Sequence, residues 1–532
     1  MRQIDCVIVG SAAGDLESEL RRAELARSAS GAYDQLRLSL TRYRGRTVDY
    51  TELLNEAVAG DSDPESALHV GRLPSLGASC LKDFLADAGF HAEIVNLLPH
   101  DEGRLEELLD LDPIAIAITT TLTMHPDPVR RVVDFVRERS DRTRIVVGGP
   151  HVLKTCLAHA GDPRRLAIAL RRMGADYYVN ESQGEGALAQ LVRELKEPSP
   201  DPRGIANLLW VEGDALVETE RVIEANDINR HGVDWSRFDR EFLTPTVITR
   251  TARSCAFKCS FCTYPVLAGA LDLQELPVIE AQFDRFRDAG VKVIGFIDDT
   301  FNVPLPRFKE MCRMMIRSRY GFRWYSYFRG ANADDETYDL MAEAGCAGTF
   351  LGIESGSQAI LDNMNKSSKV ERYLRSIQAL NERGIWTHAS ILYGFPGETE
   401  ETLRETHAFL DEANPTSWFP ALWWCDANAP VAKRTEEFDI AGSAYSWSHR
   451  TMDWREASAA MVAAPDRVRS RLLPRQEFGF WALPYLDGLG HSHESIHSFL
   501  RIAQDLQSRE STADDERDLA ALFDGGWAGS PR

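Results

Sequence analysis

Short runs of branched apolar residues alternate along the chain with helical patterns, in two blocks separated by a segment rich in proline and charge. In the first block, residues 6–10, 91–97, 113–118, 144–147 and 176–179 read as buried strands. Between them Leu81, Phe84, Leu85 and Ala88 recur at helical spacing and are closed by Gly89; Val129, Val132, Val133 and Val136 repeat the pattern. Residues 105–111 predict a further helix. Strands alternating with helices predict an α/β domain with a parallel, doubly wound sheet. Residues 11–70 interrupt it as a polar insertion or lid, with helical character over 16–25. Residues 196–245, opening with Glu197-Pro-Ser-Pro-Asp-Pro202, predict a linker carrying a small hairpin near 207–211. The second block begins at 246 with strands at 246–249, 291–297, 322–328, 349–353, 387–393 and 417–424. Its helices are closed by Gly290, Gly345 and Gly384. Six such units are too few for a closed eight-stranded barrel. The expected domains are thus 1–195 (with 11–70 inserted), a linker at 196–245, a second domain at 246–425, and a small, mostly helical, aromatic-rich cap at 426–532 whose tail from 511 is acidic, glycine-rich and frayed.

Parallel sheets bind ligands at the carboxyl ends of their strands. In the first domain those ends carry Thr119, Thr120 and Thr121, then Gly148, Gly149, Pro150 and His151, then Gly184, Glu185 and Gly186. Glycine lets backbone approach a bulky ligand, and hydroxyls can donate to it. The residues by themselves specify a Rossmann-like binding domain, or turns that need glycine for sterics alone. In the second block the strand ends carry Asp298 and Asp299, Arg329, Glu354, and Tyr393 with Gly394. All of these should converge on the loop after its first strand, Cys255-Ala-Phe-Lys-Cys259-Ser-Phe261-Cys262. Thiolates are the usual ligands of iron–sulfur clusters, and a cubane needs four. Three close thiols leave one iron open to a small molecule. A structural zinc site would want four N/S ligands in paired blocks, and no second such pair exists here; three unconnected thiols are the remaining reading.

At 532 residues the chain has room for two to four domains of roughly 150 residues each. A formal net charge of −21 excludes a nucleic-acid footprint, which needs a basic face. The polar start and the lack of a long apolar run predict neither signal peptide nor membrane span. The six other cysteines are scattered in apolar surroundings, as reduced thiols of a cytoplasmic protein would be.

The cysteine spacing resembles the signature of the radical SAM superfamily. That resemblance implies a partial (β/α)6 barrel and a [4Fe-4S] cluster on Cys255, Cys259 and Cys262. S-adenosylmethionine (SAM) would fill the fourth position and be cleaved reductively to a 5′-deoxyadenosyl radical. By the same resemblance, Phe261 precedes the last ligand and Glu354 of Gly352-Ile-Glu-Ser matches the carboxylate that binds the SAM ribose. Asp298 and Asp299 match the acidic position near the SAM amino group, and Arg329 faces its carboxylate. Tyr393-Gly-Phe-Pro-Gly-Glu matches the turn whose backbone contacts adenine. Beside this domain, the threonine-rich and Gly-Gly-Pro-His strand ends resemble the cobalamin-binding domain of cobalamin-dependent (class B) radical SAM enzymes. One departure stands out. None of the 13 histidines has Asp two positions before it, and His100-Asp-Glu-Gly103 has Leu98 in that place. The expectation is therefore cobalt without a histidine from the Asp-x-His-x-x-Gly motif, with His151 a turn residue or a contact at the corrin edge.

Together these resemblances imply a methyltransferase in which one SAM is the radical source and another remethylates cobalamin, methylcobalamin being the immediate donor. Asp5-Cys-Val-Ile-Val, Ala117-Ile-Thr-Thr-Thr-Leu, the Cys-Thr-Tyr-Pro after the cluster and Trp447-Ser-His-Arg-Thr-Met resemble PhpK-type P-methyltransferases of phosphinate natural products. The implied substrate is a small natural-product intermediate or a peptide, methylated on carbon or phosphinate phosphorus, with Tyr445 and His449 as candidate contacts. The implied electron donor is external, a flavodoxin or ferredoxin. A non-methylating radical reaction (ring contraction, cyclisation or epimerisation) and a zinc-holding binding module remain alternatives.

Overall fold

In a computed structural model of the chain, the structure describes residues 4–12, 14–59, 67–121, 123, 125–474 and 478–523. The chain divides into two compact units, Met1–Asp15 with Gly71–Asp239, and Leu16–Val70 with Arg240–Arg532.

The first unit is built on strands β1 (Cys6–Ala12), β2 (Ala92–Leu98), β3 (Ala115–Thr119), β4 (Arg144–Gly148) and β5 (Tyr177–Val179), parallel in the order β2-β1-β3-β4-β5. Alternate residues face opposite layers, and both layers are covered, which is why these strands read as unbroken apolar runs. Val7, Val9, Ile116 and Ile118 pack against the valines of helix Asp127–Arg137 and against Leu166 and Leu170 of helix Pro163–Met173. Cys6, Ile8, Ala115 and Ala117 pack against Leu85 of helix Leu76–Asp87 and Leu188, Leu191 and Val192 of helix Glu185–Glu194. The expected linker is instead part of this unit. Strands β6 (Leu208–Glu212) and β7 (Ala215–Glu218) extend the sheet antiparallel from β5, because Leu208, Leu209 and Trp210 have an apolar layer to enter. Beyond them Arg237 bonds Asp83 at 2.8 Å, tying the exit of the unit to helix Leu76–Asp87.

The second unit carries β8 (Thr246–Thr249), β9 (Val293–Phe296), β10 (Arg323–Phe328), β11 (Cys346–Glu354), β12 (Trp386–Tyr393) and β13 (Ser417–Leu422), parallel and adjacent in sequence order, with a short β14 (Arg471–Leu472) beside β13. A parallel sheet strung in chain order with a helix between neighbours is the partial (β/α)6 arrangement. Tyr325, Ala347 and Trp386 pack with Phe478, Phe480 and Leu483 from the C-terminal segment.

Residues 16–70 are not an insertion in the first unit. Their helix Leu16–Leu25 falls where the periodicity places it, but Tyr43, Val48, Tyr50, Leu53, Leu54 and Leu68 join the core that holds Phe478, Phe499 and Leu500. Tyr50 meets Phe499 edge-on at 6.1 Å. The acidic tail is also ordered as far as Phe523: helix Ala513–Phe523 buries Leu519 and Phe523 in this same core, and the remaining expected tail, 524–532, lies outside the described residues. Among its described residues the cap is mostly helical, with β14 and a three-stranded antiparallel sheet formed by Ala441–Ser443, Ser446–His449 and Met452–Asp453. Among the described residues no helix is long and apolar enough to cross a membrane.

Leu53 is fully buried, so Leu53→Ala should cost about 2–5 kcal/mol of stability. The readout is the urea midpoint of the second unit; an unchanged midpoint would show that residues 16–70 do not belong to its core.

Candidate cofactor sites

In the order β2-β1-β3-β4-β5 the strand direction of chain progress reverses between β1 and β3, which is where such sheets leave a crevice. At that point Thr119 Oγ1 donates to Gly10 O at 2.5 Å. Thr120 Oγ1 donates to Gly148 O at 2.8 Å and accepts from His151 N at 3.2 Å. Both hydroxyl protons are thus spent inside the protein, whereas Thr121 is exposed. Gly149 has φ 102°, and a Cβ there would lie 2.9 Å from Thr120 Oγ1, so this turn requires glycine. Pro150 opens helix Pro150–Ala158, which the sequence pattern did not reveal, and His151 is half-buried in its first turn.

The Gly184–Gly186 turn holds its own anion. Glu224 accepts from Gly186 N at 2.8 Å and Ala187 N at 2.9 Å, and Asn226 donates to Glu185 at 2.9 Å. The helix N-terminus expected to face a ligand is therefore capped by a carboxylate of the former linker. Beside it Asn180 Oδ1 and Glu181 Oε2 are buried without a hydrogen-bond partner, Arg221 standing 3.7 Å from the latter. Orphaned buried polar atoms at the end of β5 and an exposed Thr121 at the end of β3 fit a large polar ligand lying over this edge. Gly10 and Ser75, not singled out from sequence, complete it: a Cβ on Gly10 would lie 2.8 Å from Ser75 Cβ.

The cysteine loop of the second unit is fixed from several sides. Asp298 accepts from Thr251 N at 3.0 Å and Thr251 Oγ1 at 2.9 Å, and Arg307 donates to Thr251 O and Gln274 O. Asp298 thus anchors the loop rather than facing a ligand, and burial pushes it up to about 6. Asp299 stays at the rim, where desolvation by the surrounding protein and then the Asp298 charge push it up to about 7. On the other side Ser260 N donates to Met364 O and Asn365 Nδ2 to Lys258 O, both at 2.8 Å.

Cys259 is buried, Cys255 and Cys262 partly so, and all three are free thiols. Burial pushes Cys262 up to about 11, and the neighbouring Cys259, Asp299 and Cys255 charges hold it there. Among the described residues no three Cys, His, Asp or Glu side chains close on a single metal ion.

Glu354 ends β11 at a break in its pairing with β12, with φ 71°. Its Oε1 lies 3.1 Å from Lys366 Nζ, both side chains being buried; burial opposes the ammonium but Glu354 raises it above the usual lysine range. Arg329 is buried against the ring of Phe257 at 3.5 Å, its Nε and Nη2 without partners. Asn302 grips its backbone with two 3.0 Å bonds. An orphaned buried guanidinium just past the end of β10 and a buried carboxylate at the end of the neighbouring β11 fit the carboxylate and hydroxyl groups of an amino-acid-bearing nucleoside such as SAM. Phe261 meets Phe395 edge-on.

Other predicted contacts turn inward. Tyr393 is buried and its hydroxyl bonds His407 at 2.9 Å. Gly394 N donates to Glu398 and Gly394 O accepts from His449 Nε2 at 3.2 Å, so that peptide is internally satisfied. His449 is buried, stacks on Trp447 and bonds Thr451 through Nδ1; it is a brace, not an open contact. Tyr445 is half-buried, edge-on at 4.9 Å to the exposed Trp424 just past β13. A cavity of about 540 Å³ lined by Trp386, Thr416, Arg471 and His493 opens at the amino ends of β12 and β13, away from the cysteine loop, and no predicted residue lines it.

Glu398 is fully buried with Oε1 unpartnered, and burial pushes it up to about 8. Because its folded pKa lies above its unfolded one, the stability it confers is lost as pH rises. Glu398→Gln should therefore gain thermal stability relative to wild type between about pH 4.5 and about pH 8. A difference in melting temperature that stays flat over that range would contradict this protonation.

Residues 69–191 match the B12 binding domain model, and residues 249–410 the Radical SAM superfamily model. The chain is 28% identical over 244 residues (42% of the chain, 43% of the relative) to an anaerobic magnesium-protoporphyrin IX monomethyl ester cyclase of Rubrivivax gelatinosus. It is 27% identical over 203 residues (35% and 34%) to a tryptophan 2-C-methyltransferase of Streptomyces laurentii. The chain thus spans less than half the length of these curated relatives. In fold it is similar to the radical S-adenosylmethionine methyltransferase TsrM from Kitasatospora setae, solved with cobalamin and a [4Fe-4S] cluster, with TM-score 0.60 and 18% identity over 84% of this chain and 97% of that one. The chain thus joins a region matching the B12 binding domain to a region matching the Radical SAM superfamily.

Proposed function

We propose that this chain is a methyltransferase that places a methyl group from SAM, by way of cobalamin, on an unactivated carbon or a phosphinate phosphorus of a small natural-product intermediate. The observation that carries the reading is the presence of both cofactor domains in one chain. When bound, the cluster and SAM supply a hydrogen-abstracting radical, and cobalamin supplies a transferable methyl on a weak cobalt–carbon bond. The protein's own part is positional. Cys255, Cys259 and Cys262 would hold the cluster, Arg329 the SAM carboxylate and Glu354 its ribose. The edge formed by Thr121, Asn180 and Glu181, with Gly148, Gly149 and His151 beneath, would hold the corrinoid.

The methyltransferase names of two relatives support methylation, and the four short PhpK-like segments support phosphorus as one acceptor. The likeness to a cyclase favours a second reading, a radical ring closure without methyl transfer. The acidic charge argues against a nucleic-acid substrate, and the setting we infer is a reducing cytoplasm with a flavodoxin or ferredoxin as electron donor.

The test is anaerobic reconstitution with iron, sulfide and cobalamin, followed by incubation with candidate phosphinates and methyl-deuterated SAM. A labelled methyl group in the product is expected. Product without label would sink methyl transfer in favour of the cyclase-type reading. Cys255→Ala should reduce SAM cleavage to background while cobalamin absorbance is retained; cleavage that persists would remove Cys255 from the cluster.

A further inference from the structure

Lys366 follows the segment that closes over the cysteine loop, and no sequence pattern singles it out. It is 6% exposed, with Nζ 3.1 Å from Glu354 Oε1 and 5.3 Å from the centre of the Phe261 ring, the geometry of an ion pair. Phe261 stands between Cys259 and Cys262, as Phe257 stands between Cys255 and Cys259 beneath the Arg329 guanidinium. On the side facing residues 354–366 the loop thus meets two buried cations, each over an aromatic ring, and the buried Glu354 carboxylate, while Asp298 and Arg307 hold its other side through Thr251. Burying a cation without a counter-charge is costly. Arg329, with two nitrogens unpartnered, leaves that side of the loop with one cation in surplus over Glu354. An iron–sulfur centre on three thiolates is net negative and more so when reduced, so the surplus matches what the thiols would hold. Reduction potentials of such centres follow local charge, hydrogen bonding and exposure.

We propose that Lys366 is a positioning residue that sets the reduction potential of the cluster on Cys255, Cys259 and Cys262, with Glu354 as its counter-charge. Reduction adds one electron from an external low-potential reductant and no proton; the ammonium favours the added charge and the Glu354 carboxylate opposes it. Lys366 also holds the Glu354 side chain, so the pair fixes carboxylate placement and potential together. The inference rests on the cluster assignment and is independent of whether a methyl group is transferred.

The experiment is a dithionite titration of the full-length reconstituted protein, without SAM or substrate, followed by electron paramagnetic resonance. Lys366→Met should shift the midpoint to more negative potential, Glu354→Gln to more positive potential, and Lys366→Arg should stay near wild type. The Lys366→Met/Glu354→Gln double variant should fall between the single variants. Midpoints that do not move, or that move in the same direction in Lys366→Met and Glu354→Gln, overturn the proposal. If Lys366→Met takes up no cluster, Glu354→Gln decides alone: a positive shift supports the pairing and an unshifted midpoint defeats it. Wild-type protein that binds no iron and sulfide would instead sink the cluster assignment itself, a result distinct from immobile midpoints.

Discussion

The carboxylate of Asp298 is the fixed point of the second unit. A loop carrying three thiols has only a two-residue ladder at its base, Ala252–Arg253 against Asp272–Leu273, and Ser254 adopts a left-handed backbone at φ 70° just beyond it. Asp298 gives up its hydration at the end of β9 and regains it as three hydrogen bonds to Thr251, with Arg307 closing the other side through the Thr251 and Gln274 carbonyls. Bonds from a charged acceptor are stronger than neutral ones. They act where the chain leaves β8, so the direction of the loop is set before the first cysteine is reached. Ser260 and Lys258 then tie its far side to residues 363–365. The thiols are held in place from the strand ends behind them.

The two sheets were legible because parallel strands covered on both faces are nearly all apolar, and a run such as Ile114-Ala-Ile-Ala-Ile118 can be little else. The cysteine spacing was legible because its chemistry needs those residues close in sequence. Residue types at strand ends were also legible, but which atoms they spend on neighbours was not. Asp298, Tyr393, Gly394 and His449 are in the expected places and are occupied by Thr251, His407, Glu398 and Gly394 in turn. The partner that caps Gly186, Glu224, lies 38 residues further on in a stretch with no periodicity. Asn302 and Lys366 were invisible for the same reason: their roles depend on where a loop returns, and no spacing records that.

The misassigned segments share a cause. Residues 16–70 are polar on average, but Tyr43, Tyr50, Leu53 and Leu54 are apolar at the positions that matter to a core built from the other end of the chain. Burial of a few large side chains outweighs the mean character of a segment. The same holds for Leu519 and Phe523 in the acidic tail and for Leu208–Trp210 in the former linker.

Glu354 sits where β11 slips against β12, in a backbone conformation that side-chain-bearing residues adopt at a cost of order 1–3 kcal/mol. The slip breaks the in-and-out alternation of the strand, so the direction of this carboxylate is dictated by a local defect in the ladder. Relaxing residue 354 into regular extended backbone would swing its oxygens off Lys366 without altering a single residue type. The chemistry of the mouth is thereby made hostage to one irregular peptide, and the regular strands around it serve to keep it irregular.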